Sequence, residues 1–274
     1  MADGHAQQAA KKAAPKWRRF TFAQRLTRFL VYLAIVAAIV VSIQTIEVIP
    51  EFLYDAPDQM VDLFARMWPI DWAHYPGTVH EALMETIHIA SLGTLLALAL
   101  ALPVGILAAH NLVPFMPINL LAKLVLVASR SVNSLVWALL FVGIFGPGAL
   151  AGTLAIAFRS IGFVGKLFGE ALEEAHPGPI EALTAAGAPW TSRMTFGFWP
   201  QVAPAFWSIA LFRWDINVRE SAVLGLVGGG GIGMALDAAL NLFQWNRVAL
   251  ILVAIVAVVV LAEIAVTQVR KRVL

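Results

Sequence analysis

Val248–Thr267, VALILVAIVAVVVLAEIAVT, is a run of twenty residues with one charge, Glu263. A helix rises about 1.5 Å per residue, so such a run covers the roughly 30 Å of hydrocarbon in a bilayer. A helix apolar on every side has no place on a soluble surface. The pattern recurs at Phe29–Ile49, Leu83–Ala108, Leu120–Ile144, Leu150–Phe168 and Trp199–Phe212. The Trp199 segment is short. It opens at Pro200, where a missing amide donor costs little in a first helical turn. Of 274 residues, 60% are hydrophobic and 13% charged, against roughly 25% charged in an average soluble domain. Mean hydropathy is +0.79. These values exclude a soluble enzyme, a disordered chain and a disulfide-stapled scaffold. With no cysteine, disulfides, thiolate metal sites and cysteine nucleophiles are also excluded. The reading is an all-α integral membrane protein with six transmembrane helices.

A pI near 9.1 does not mark a nucleic-acid binder here, because the basic residues gather at the ends. Seven of the nineteen lie between Lys11 and Arg28, and Arg270, Lys271 and Arg272 close the chain. Basic flanks beside apolar spans place both termini in the cytoplasm, which demands an even number of spans. The chain divides into a basic cytoplasmic segment 1–28, a first span 29–49, an external interfacial segment 50–79 and a five-helix core 80–270. Phe29–Ile49 follows a basic leader but has no small-residue cleavage site, so it reads as a retained anchor. Residues 50–79 mix acids with Phe64, Trp68 and Trp72, as a helix lying at the bilayer boundary does. The loops at His110–Asn119 and Lys166–Phe198 then face the cytoplasm, and Asp215–Asn246 faces outward.

The loop 166–198 carries the most specific signal. His176-Pro177-Gly178-Pro179 breaks the preceding helix, Ile180–Gly187 reads as a short helix, and Gly187 is a natural left-handed stop. A second amphipathic stretch from Pro189 to Phe198 leads into Trp199-Pro200. A rigid helix–turn–helix on the cytoplasmic face suits a membrane protein that receives force from a soluble partner.

This loop resembles the cytoplasmic motif of ABC-importer permeases: Glu-Ala-Ala, three residues, Gly, nine residues, Ile, one residue, Leu-Pro. Here the positions are Glu181-Ala182-Leu183, Gly187, Gly197, Trp199 and Pro200, with both spacings kept and the third alanine, the isoleucine and the leucine replaced. Two further stretches resemble the phosphonate branch of that family: Arg130-Ser131-Val132-Asn133, and Arg213–Arg219 running into Ser221–Gly233. The resemblance spans about residues 80–270. It implies the type I importer permease fold, similar to the methionine permease, in a bacterial inner membrane. It also implies a homodimer, two ABC ATPase subunits that bind ATP and Mg²⁺, and an external substrate-binding protein. Glu181, Ala182, Gly187 and Pro200 would then carry coupling to the ATPase, and the chain itself would hold no cofactor. The implied solute is phosphonate or a related phosphorus oxyanion: phosphite, hypophosphite or phosphate. An importer of another small solute such as methionine, or an ATP-independent secondary transporter, are the alternatives.

Charges inside spans mark function by default, because each costs about 2.5–3.5 kcal/mol on insertion scales. Arg130 and Arg159 sit about half-way along the third and fourth spans. On a continuous helix Arg130, Asn133, Ser134 and Trp137 share a face that offers a cation, an amide and a hydroxyl to an oxyanion. The alternative for Arg130 is to tie helices together. Arg213 and Arg219, at the outer end of the fifth span, either guide an anion or pair with Asp215 and Glu220. Glu81, Glu85 and His88 read as interfacial, without further ligands for a metal. Gly228, Gly230 and Gly233 match a dinucleotide pattern formally, but no strand flanks them; they read as a sharp buried turn. No catalytic constellation is present, so the chain reads as a transport subunit and not an enzyme.

Overall fold

The computed structural model describes residues 20–46 and 50–273, all as helices and their connections. The order is α1 Phe22–Thr45, α2 Pro50–Met67, α3 His80–Ala108, α4 Met116–Ser131, α5 Ser134–Phe145, α6 Ala149–Glu173, α7 Pro177–Ala185, α8 Trp190–Ser192, α9 Trp199–Leu224, α10 Ile232–Asn241 and α11 Trp245–Val273. Contacts divide the chain into a unit ending at Val61 and a unit from Asp62 onward. The basic segment expected over 1–28 lies outside the described residues as far as residue 19, as do residues 47–49 of the expected first span.

The first unit is dominated by α1. It begins at Phe22, seven residues before the expected span, because Thr21 and Gln24 form a reciprocal cap in which each side chain accepts from the other's amide. Arg25 and Arg28 therefore belong to the helix rather than to a leader.

In the second unit α6 is the central helix, with α3, α4, α5 and α9 packed around it. Small residues allow the close approaches. A Cβ on Gly105 would stand 2.9 Å from the Gly165 carbonyl, and one on Gly162 would stand 2.4 Å from the Leu126 carbonyl. Such backbone-to-backbone contact replaces the hydrophobic drive that lipid removes. An aromatic cluster of Trp137, Phe141 and Phe158 seats α5 on α6. Gly228, Gly230 and Gly231 all take left-handed φ in the turn between α9 and α10; Gly233, expected in that turn with Gly228 and Gly230, lies instead in the first turn of α10.

Among the described residues, five helical stretches are long and apolar enough to cross a bilayer, or six if the bent pair of α4 and α5 counts as one span. The straight span expected over Leu120–Ile144 is corrected, because α4 and α5 meet at 91°. Val132 and Asn133 adopt extended backbone, and the Asn133 side chain accepts from the Leu135 amide at 3.2 Å. An asparagine that caps a new helix competes with continuation of the old one. The short fifth span is corrected in the other direction. α9 continues to Leu224, so Arg213 and Arg219 lie within a helix and not at its outer mouth. The first eight residues of the expected loop, Lys166–Glu173, are the last turns of α6.

Candidate functional site

Two places in the second unit collect the chemistry. The first is a cavity of about 440 Å³ lined by Val127, Arg130, Ser131, Arg159, Phe163 and Arg213. Three helices deliver its arginines. Ser129 holds the end of α4 on α6: its hydroxyl donates to the Phe158 carbonyl and accepts from the Gly162 amide at 3.1 Å. Arg130, the next residue, thereby reaches the cavity. Arg159 follows Phe158 on α6, and Phe163 lies one turn on. Arg213 comes from α9, its guanidinium 5.6 Å from the centre of the Phe163 ring.

A buried guanidinium needs partners, since desolvation of a cation costs several kcal/mol. Arg213 has them. Its side chain is only 4% exposed; Nε donates to Ser160 Oγ at 2.8 Å and Nη2 to Glu220 Oε2 at 3.4 Å. Ser160 donates in turn to Asn217, whose amide donates to Thr94 at 2.7 Å, so one polar chain ties α9, α6 and α3. Glu220 uses its other oxygen for Arg159. Arg130 makes no side-chain hydrogen bond or ion pair among the described residues. Three guanidiniums line the cavity, none of its lining residues is acidic, and Glu220 pairs with only two of the three, so the cavity lining carries a positive surplus.

The expected residues divide accordingly. Arg130, Arg159 and Arg213 come together. Asn133 and Ser134 do not share their face: the helix has ended, and the Ser134 hydroxyl donates to Asn133 within the cap of α5. Arg219 pairs with Asp215 one turn earlier on α9, the pairing that stood as its alternative. Glu220 stood in the sequence as a pairing partner for Arg213 or Arg219, and it does pair with Arg213. Its tie to Arg159, and Ser160 with its partners Arg213 and Asn217, were not singled out, because those partners stand more than 50 residues away. Among the described residues no three acidic or histidine side chains are placed to hold a metal ion.

The second place is α7. Its end is a Schellman turn: Gly187 N–H donates to Thr184 O, Ala188 N–H donates to Leu183 O at 2.9 Å, and Gly187 takes φ +74°. Nothing stands within 4 Å of where its Cβ would be, so glycine is required there by backbone conformation and not by crowding. Gln201, beside Pro200 in the first turn of α9, clamps the start of α7; it accepts from the His176 amide at 2.9 Å and donates to Gly197 O at 2.7 Å. Ile180 and Leu183 are half-buried, whereas Glu181, Ala182, Thr184 and Ala185 are exposed. A Cβ on Gly197 would meet Leu183 at 3.3 Å and Ile180 at 3.4 Å. Two departures from the permease motif are thus one exchange of volume, with a leucine in place of alanine across from a glycine in place of isoleucine.

Residues 101–274 match the family of binding-protein-dependent transport system inner membrane components. The chain belongs to this family. It is therefore the membrane component of a transport system, not an enzyme, and the ATP-independent transporter is set aside. The permease is 38% identical over 201 residues to the phosphite transport system permease protein PtxC of Stutzerimonas stutzeri, covering 73% of each chain. It is 36% identical to the phosphate-import permease protein PhnE of Mycolicibacterium smegmatis, over 85% of this chain and 44% of that one. Its fold is that of the methionine permease family: an inward-facing structure of the MetNI methionine ABC transporter superposes with a TM-score of 0.63 at 22% identity, over 72% of this chain and 96% of that chain.

Proposed function

We propose that the protein is the permease subunit of an ABC importer for a phosphorus oxyanion of the phosphonate, phosphite, hypophosphite or phosphate type. The observation that carries the reading is the convergence of Arg130, Arg159 and Arg213 on one cavity with a positive surplus. A planar guanidinium fork matches the oxygens of a tetrahedral anion. A zwitterion such as methionine has no net charge to balance that surplus. The relatives named for phosphite and phosphate support the same solute class.

In this reading two copies of the chain enclose the pathway, with both termini in the cytoplasm. An external binding protein delivers the anion. Two ATPase subunits bind ATP and Mg²⁺, which this chain does not. The exposed face of α7, with Glu181 and Ala182, seats in the ATPase, while Gly187 and Pro200 set the geometry of that knob. Closure of the ATPases then moves α6 and α9 through the α7–Gln201 clamp. The test is ATPase activity of the complex reconstituted in lipid, with the binding protein supplied with phosphonate, phosphite, phosphate or methionine in turn. Stimulation by a phosphorus oxyanion and not by methionine is expected. Stimulation by methionine alone, or by none of the four, overturns the reading.

A further inference from the structure

Glu220 has no role in the reading above, yet it sits at the centre of the cavity's electrostatics. One carboxylate oxygen accepts from Arg159 and the other from Arg213. The two arginines differ: the Arg213 side chain is 4% exposed and tied to Ser160, whereas Arg159 is 29% exposed. Arg159 Nε is buried with no hydrogen-bond partner among the described residues, so part of its donor fork is unused. Arg130 lines the same cavity unpaired. A tetrahedral anion entering there meets two arginines with donors to spare and one carboxylate that already occupies an anion's place.

We propose that Glu220 is a resident counter-anion, displaced from Arg159 when the transported oxyanion binds and restored when it leaves. The proposal rests on the oxyanion reading of the cavity and deepens it. In the empty state Glu220 bridges Arg159 and Arg213 and neutralises part of their charge, which lowers the cost of keeping them in the membrane. In the filled state the oxyanion takes the donors of Arg130 and Arg159, while Glu220 stays on the buried Arg213. Repulsion between the carboxylate and an anion about 5 Å away in a medium of low effective dielectric keeps retention weak. A pathway needs that weakness, because a solute bound too well does not leave.

The experiment is equilibrium binding of radiolabelled phosphite to the purified permease–ATPase complex in nanodiscs without binding protein, for wild type, Glu220→Gln and Glu220→Asp. The Gln variant, isosteric and uncharged, is expected to retain phosphite at least about tenfold more tightly than wild type, and its transport turnover to fall. The Asp variant draws the carboxylate back from Arg159 and is expected to show a smaller gain. If the Gln variant fails to assemble with the ATPase, the Asp variant decides by its gain or lack of one. An assembled variant with no increase in retention overturns the proposal and leaves Glu220 as a structural tie. Stimulation of the wild-type ATPase by phosphite-loaded binding protein is measured alongside. Its absence would sink the oxyanion reading itself, whatever Glu220 does.

Discussion

The α7 knob and the arginine cavity are built on opposite plans. Everything that shapes α7 lies within 25 residues: proline breakers at its start, glycine at its end and Gln201 closing the frame. The cavity draws Arg130 from α4, Arg159 from α6 and Arg213 with Glu220 from α9, and its polar chain ends on α3 at Thr94. The knob is a module that a partner can push as one body. The cavity is a joint among four helices, so whatever moves those helices changes the distances between its charges. In the proposed reading that difference serves transport: α7 is a rigid input, and the cavity is a binding place whose geometry depends on helix positions.

The sharpest way to break the comparison is Arg213→Leu. It leaves Glu220 with one partner and cuts the chain to Ser160, at an expected cost of about 3–5 kcal/mol, read as loss of assembled complex in a thermal series. A well-assembled variant would show the joint to be less cooperative than described. Next is Gly197→Ile, which crowds Ile180 and Leu183 beneath α7 at about 1–3 kcal/mol. Adding Leu183→Ala is expected to restore most of that loss, and strictly additive losses would contradict the volume exchange. Gly187→Val forces a β-branched residue into left-handed backbone at roughly 1–2 kcal/mol. Insertion should survive, because the space around it is empty, while stimulated ATPase activity drops; Gly187→Asn should be milder. Normal uptake in the valine variant removes α7 from coupling. The smallest effect is expected at the exposed Asp62–Arg66 pair, 2.6 Å apart on α2. Arg66→Ala should change stability by about 0.5 kcal/mol or less and leave transport intact.

The same contrast explains how much could be read from the sequence. α7 and the left-handed Gly187 were legible because caps and breakers act over a few residues. The apolar spans were legible because length and composition alone set them. Several boundaries were not, and two of them show why. Hydropathy runs straight through Val132-Asn133-Ser134, yet the asparagine cap ends α4 there. It halts at Arg213, yet α9 continues because its charges are matched, Arg219 by Asp215 and Arg213 by Glu220. Arg130, Arg159 and Arg213 stood out singly as charges in apolar helices, but their convergence depends on packing between segments 29 to 83 residues apart. The tie of Glu220 to Arg159 was hidden for the same reason. The sequence offered Glu220 as a partner for Arg213 or Arg219, and only the packing of α6 beside α9 adds Arg159.

The most direct test of the central claim is ATP-dependent uptake of radiolabelled phosphite into proteoliposomes, comparing wild type with Arg130→Ala. The side chain of Arg130 has no partner among the described residues, so its removal should leave assembly and melting temperature nearly unchanged. Uptake should fall by roughly tenfold or more, the scale of one lost charge-assisted contact. A variant that assembles and transports phosphite as wild type does would contradict the assignment of this cavity to the pathway.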